Sequence, residues 1–190
     1  MNANISEFAR VRAGSTVVDV FPGKGDWTRT FSDVVGREGR VYSFVPTEVA
    51  HLTSGPAGSL NANVEVLKAD LLELPSSLDV VWLSLFYHDL HTPLMQARGA
   101  TADSFNRAVH ARLKPGGYYV IIDHVGVGDG SPSLHRIDPA VARAEVERAG
   151  FVLDEESRAL ANPADPHTAK VFDAAIKGKT DRFAYRFRKA

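Results

Sequence analysis

The chain has no cysteine among its 190 residues. Disulfides, thiolate nucleophiles and cysteine-ligated metal sites are therefore excluded, and the absence fits a reducing or an oxidising compartment alike. Net charge is also missing: 22 basic residues stand against 23 acidic ones, a formal charge of −1. That balance leaves no electrostatic footprint for nucleic acid or an anionic membrane, so neither is an expected partner. No apolar run is long enough to span a bilayer. Met1 to Arg12 is polar and lacks the apolar stretch of a signal peptide, which predicts a cytoplasmic protein. The first strand follows almost at once, so a trimmed N-terminus would leave export open. What remains is ordinary for a globular chain: 44% hydrophobic and 24% charged residues. The length fits one domain over residues 1–190 with a substantial core, and no repeat, low-complexity segment or linker interrupts it.

The chain is organised around Val17 to Thr28. β-branched residues around Asp19 read as a buried strand, Thr16 to Phe21. Pro22, Gly23 and Gly25 then force a tight turn, and Trp27, Phe31, Val34 and Val35 recur at helical spacing. A strand, a glycine turn and a helix make half of a βαβ unit, whose backbone can approach a ligand closely. Before it, Ile5 to Val11 is a short helix. After it come strands at Arg40 to Val45, Val64 to Lys68, Asp79 to Leu85, Tyr118 to Asp123 and Phe151 to Ser157, with a last one at Arg182 to Phe187. Thr47 opens a short helix through His51 or Leu52. Thr101 caps a helix through Leu113, stopped by Lys114-Pro115-Gly116-Gly117, and Asp138 with Pro139 opens another that ends at Gly150. Residues 54–59, 87–93 and 126–133 are loops, and 159–180 is a long irregular segment expected to act as a lid. Alternating strands and helices predict an α/β doubly wound sheet.

The strand count, the glycine turn and Leu113-Lys114-Pro115-Gly116-Gly117 resemble class I S-adenosylmethionine-dependent methyltransferases. In that family a helix commonly ends in a similar turn before strand five. More narrowly, the chain is similar to a group of predicted methyltransferases. The matching pieces are Phe21-Pro22-Gly23, Tyr87-His88-Asp89-Leu90, His135 to Pro139, Asn162 to Asp165 and Gly178 to Phe183. The resemblance spans nearly the whole chain. It implies a mostly parallel, seven-stranded, Rossmann-like sheet with an antiparallel last strand, and S-adenosyl-L-methionine as cofactor. Asp19 matches the family's acid in the first strand, and Gly23 and Gly25 match the last two glycines of its turn. Phe21 stands where the first glycine usually is. Val45 replaces the acid that grips the ribose, and Glu48 one helical turn on is either its substitute or a solvated first-turn acid. Asp70 matches the acid that contacts the adenine amino group. Leu85 lies where strand four passes the methionine part. A Rossmann NAD site fits less well, because Thr28 occupies its third glycine position, and Gly25-Asp26 excludes a P-loop.

Seven histidines are present, and His88, His91, His124 and His135 all fall just beyond strand ends. Histidine titrates near neutrality and suits removal of an acceptor's proton. Tyr87, His88 and His124 are the candidate catalytic residues, with Tyr87 as an aromatic wall and His88 as the base. The plain alternative for each histidine is a helix cap or a hydrogen-bonded loop residue. Asp89 or Asp123 with these histidines offers metal-ligand chemistry, but no compact H-x-x-E-H or H-E-x-x-H spacing occurs and no metal is assigned. The expected activity is methyl transfer to a small molecule, with a hydroxyl or carboxyl acceptor preferred. The alternatives are a non-catalytic binding protein, or a histidine-dependent enzyme of another class on the same fold. The acceptor and the oligomeric state are not legible.

Overall fold

The computed structural model describes residues 2–53, 55–128 and 131–190. Met1, Ser54, Asp129 and Gly130, which belong to segments discussed above, lie outside the described residues. The strands are β1 (Thr16–Val20), β2 (Arg40–Pro46), β3 (Val64–Ala69), β4 (Leu78–Ser84), β5 (Leu113–His124), β6 (Phe151–Ser157) and β7 (Arg182–Lys189). They form one seven-stranded sheet in the order β3-β2-β1-β4-β5-β7-β6. β1 to β5 pair in parallel, while β7 runs antiparallel between β5 and β6. The expected doubly wound, mostly parallel sheet is therefore the fold observed.

Alternation along the strands builds two cores. Val18, Val20, Val81, Leu83, Tyr119 and Ile121 face one side of the sheet. There they meet Phe105 and Val109 of α4 (Ala102–Arg112) and Ala142 and Val146 of α5 (Pro139–Arg148). The other side carries Val17, Val80, Trp82, Val120 and Ile122. They pack on Ile5 and Phe8 of α1 (Asn2–Phe8) and on Phe31 and Val35 of α2 (Asp26–Val35). Central parallel strands buried on both faces need this continuous apolar run.

The helix ends carry the signals read from the sequence. Thr101 and Ser104 form a reciprocal capping box at α4, and Asp138 accepts from Ala140 N at α5. Three details differ. α1 lies three residues earlier than expected, since Arg10 takes a left-handed φ of 58° that ends the helical path. The segment after β4 is not open loop: a 3₁₀ turn over Tyr87–His91 leads into α3 (Pro93–Ala97), capped by Thr92. The Lys114-Pro115-Gly116-Gly117 turn lies within β5 as a register break, between the pairs Leu78 with Leu113 and Val80 with Tyr118. Lys114 is held there by Asp79 at 2.8 Å. Among the described residues no helix is long and apolar enough to cross a membrane.

Candidate active site

Strand order reverses between β1 and β4, and open α/β sheets take ligands at the carboxyl ends of such strands. The backbone is strained there. Phe21 (φ 56°) and Leu85 (φ 59°) follow β1 and β4 in left-handed conformations without being glycine. Hydrogen bonds hold both: Phe21 N donates to Phe44 O at 2.9 Å, and Leu85 N to Ile122 O at 2.7 Å. Phe21 thus supplies the geometry of the missing glycine, and its ring stacks on Phe86 with centroids 4.9 Å apart. Leu85 is half-buried against the core that contains Trp82.

Gly23 and Gly25, read alike from the sequence, differ in space. A Cβ on Gly23 would meet no atom within 4 Å, whereas one on Gly25 would lie 2.4 Å from Pro56 Cβ. Gly25 is small to seat the chain's own 55–58 loop. Arg29 ties that loop to the turn by donating to Ala57 O at 3.0 Å and Lys24 O at 2.7 Å. Behind the turn, Asp19 is buried and accepts from Thr28 Oγ1 at 2.6 Å. Burial pushes its carboxyl up to about 7, against the two hydrogen bonds from Thr28. Glu48 is buried as well, and its two oxygens lie 3.0 and 3.2 Å from Leu71 N. It is not a solvated first-turn acid. Its carboxylate pins the 3₁₀ turn over Thr47–Leu52 to the end of β3. Asp70 is exposed and accepts from Thr47 Oγ1.

A second group lies at the carboxyl ends of β4 and β5. His88 Nδ1 is 2.8 Å from Asp123 Oδ1, and His88 N donates to Asp123 Oδ2 at 2.9 Å. The same carboxylate accepts His124 N at 2.7 Å. Burial disfavours the His88 imidazolium, but the charge and hydrogen bond of Asp123 and the charge of Asp89 outweigh it, so its pKa lies above the ordinary 6.5. Asp123 stays below the usual carboxylate range despite burial, held by His88 and His124. Beyond Nδ1, His88 Nε2 is 3.6 Å from Asp89 Oδ1, and His135 Nδ1 is 3.6 Å from that same oxygen. The His88 and His135 rings meet edge to face at 5.3 Å. His124 lies 6.0 Å from the His88 ring, and its Nδ1 is 2.7 Å from Thr180 Oγ1. Burial lowers its pKa to about 4, which keeps it neutral at pH 7.

Tyr87 is not part of this group. Its hydroxyl donates to Glu145 Oε2 and accepts from Asn106 Nδ2, both at 2.9 Å, inside the core under α4 and α5. The expected aromatic wall is instead a buried strut, its phenol pushed up by burial and by Glu145. The lid expected over residues 159–180 is fastened down. Arg136, wholly buried, forks onto Asp165 at 2.9 and 3.1 Å and donates to Ala169 O and Val125 O. Asp181 N donates to Asp165 at 2.7 Å, and His167 pairs with Asp181 at 2.9 Å, not with the histidine group. From this segment Phe172 packs on His135 at 4.9 Å. Sequence reasoning missed the joining of His88 to Asp123 and of Asp89 to His135. Each residue was visible at or beyond a strand end, but the parallel pairing of β4 with β5 that unites the first pair leaves no local signal.

No protein-family model and no curated protein matches the chain. Solved structures do. A S-adenosylmethionine-dependent methyltransferase from Aquifex aeolicus superposes with a TM-score of 0.67 at 19% identity, over all of this chain and 89% of that one. A methyltransferase described as putative, from Bacillus halodurans C-125, gives 0.63 at 18% identity over 99% and 98% of the two chains. The pyocyanin biosynthetic protein PhzM gives 0.66 at 15% identity, and there this chain spans 54% of the neighbour. At such identities the likeness is one of architecture, and it shows that the chain has the Rossmann-like fold of class I methyltransferases.

Proposed function

We propose that this chain is a S-adenosylmethionine-dependent methyltransferase acting on a small molecule. The observation that carries the reading is the left-handed turn after β1, where a side chain on Gly23 would meet only open space, on the same sheet edge as the buried His88–Asp123 pair. A left-handed glycine facing empty space, with a buried acid behind it, suits a cofactor held against backbone. Gly23, the backbone at Phe21, Asp19, Leu85 and Asp70 are assigned to that cofactor. The ribose is assigned to Glu48, whose carboxylate retains lone pairs beyond those used by Leu71 N. Bound S-adenosylmethionine supplies an electrophilic methyl group. The chain's part is to align an acceptor and take its proton, since positioning provides much of the rate in such reactions. Asp123 orients His88 through Nδ1 and leaves Nε2 on the side of Asp89 and His135. A hydroxyl or carboxyl oxygen is the preferred acceptor.

Calorimetric titration with S-adenosylmethionine and with its demethylated product tests the reading. Saturable binding of both supports it, and heat from neither removes it. A binding protein without catalysis is the second reading, favoured by the Phe21 ring stacked on Phe86 at the switch point. Cofactor binding without transfer across a panel of hydroxy and carboxy acceptors would favour it.

A further inference from the structure

We propose that His88, Asp89 and His135 bind a divalent first-row transition ion. The spacing along the chain gave no metal motif, yet folding brings one ligand atom of each residue within 4.8 Å of the others. The two imidazole nitrogens stand 3.6 Å from a single Asp89 oxygen, too far for a hydrogen bond. An ion with bonds of about 2.0–2.2 Å separates its tetrahedral ligands by roughly 3.4 Å, so the gap matches a coordination shell better than a direct contact. His88 is 4% exposed, and its Nε2 makes no hydrogen bond to a described residue, with Asp89 Oδ1 nearest at 3.6 Å. Asp89 pairs with no lysine or arginine among the described residues; the groups that face its carboxylate are the His88 and His135 imidazoles.

The surroundings fit as well. A ligating histidine ordinarily gives its other ring nitrogen to a carboxylate, which fixes the tautomer, and Asp123 accepts from His88 in that way. Two imidazoles and one carboxylate suit Zn²⁺, Mn²⁺, Fe²⁺ or Co²⁺, while Mg²⁺ and Ca²⁺ favour oxygen alone. Three protein ligands leave positions open for a further oxygen ligand. With the ion bound, the Nε2 lone pair would be a ligand, and the ion would hold the acceptor oxygen and lower its pKa, so that its proton would pass to water and not to His88. Only that last use rests on the methyltransferase reading; ion binding does not.

The test uses the full chain without a histidine tag, stripped by a chelator and titrated with ZnCl₂ and CoCl₂. Calorimetry should show a single saturable site, and cobalt should give a visible absorption band. His135→Ala and Asp89→Asn should each weaken binding about tenfold or more, and Asp123→Asn about 10–100-fold through His88. His167→Ala, outside the group, should leave binding unchanged. Thermal melts check folding, and the shape-preserving Asp89→Asn carries the test if His135→Ala melts early. No binding at millimolar ion, wild-type affinity in Asp89→Asn, or a preference for Mg²⁺ would each overturn the proposal. Ion binding without cofactor binding would remove the methyltransferase reading and keep this site; cofactor binding without ion binding would do the reverse.

Discussion

At the scale of single residues, the two turn glycines separate packing from binding. Both have positive φ, so any side chain is strained there, at a cost of about 1–2 kcal/mol. Gly25→Ala adds a clash with the ring of Pro56 and should displace the 55–58 loop and lower the melting temperature further. Gly23→Ala meets open space, so its cost should stop at backbone strain while cofactor affinity falls. Equal affinity in wild type and Gly23→Ala would take the cofactor away from that turn. Asp19 gives a second prediction. Its folded pKa of about 7 exceeds the ordinary 3.8, so the folded state keeps a proton that the unfolded chain releases. Stability from this group is therefore lost as pH rises from about 4 to about 7, by up to about 4 kcal/mol. His124, lowered to about 4, acts in the opposite sense, since its stabilisation is lost as pH falls below 6.5. Comparing wild type with Asp19→Asn in the same buffers cancels the His124 contribution. The difference in urea unfolding free energy should favour Asp19→Asn increasingly between pH 5 and pH 8; parallel curves would show that Asp19 is not buried with a raised pKa.

At the scale of elements, the irregular chain between β6 and β7 is where composition misleads. Prolines and aspartates without periodicity read as a mobile lid, because nothing local reveals that Arg136 will be buried against Asp165. The fork onto Asp165 and the two carbonyl contacts make the segment a fixed wall beside His135. Backbone amides near Asp165 and Asp181 should then exchange slowly without any ligand, and exchange as fast as an unstructured peptide would contradict the wall. Arg136→Ala strands a buried carboxylate and should cost about 3–5 kcal/mol. The strands were legible for the opposite reason. β4 is an unbroken apolar run, and α4 and α5 carry caps whose chemistry is local, at Thr101 and Asp138. The 3₁₀ turn at Tyr87–His91 was not, because its apolar residues, Tyr87 and Leu90, are too few to show a period. The individual site residues were visible as polar positions after strands. Their partnerships depend on which strands become neighbours, as β4 and β5 do for His88 and Asp123.

At the scale of the molecule, the sheet sets two polar groups on one edge, the glycine turn after β1 and the histidines after β4 and β5. If the first holds cofactor and the second handles acceptor, their mutants must fail differently. His88→Ala should lower kcat strongly while the affinity for S-adenosylmethionine stays nearly unchanged, because His88 makes its contacts with Asp123 and Asp89. Removing the His88 ring leaves buried Asp123 with the backbone amides of residues 88 and 124 alone, so some loss of stability is expected and the assay belongs well below the melting point. His88→Gln provides the control: its amide can still donate to Asp123 but cannot act as a base at neutral pH. Turnover lost equally in both variants, with cofactor affinity retained, assigns the loss to the imidazole and not to packing. Recovery in His88→Gln would reduce His88 to a positioning residue for Asp123. Turnover unchanged in both would remove it from the mechanism. A parallel fall in cofactor affinity would mean that the two groups form one site, and the division of labour along the sheet edge would have to be abandoned.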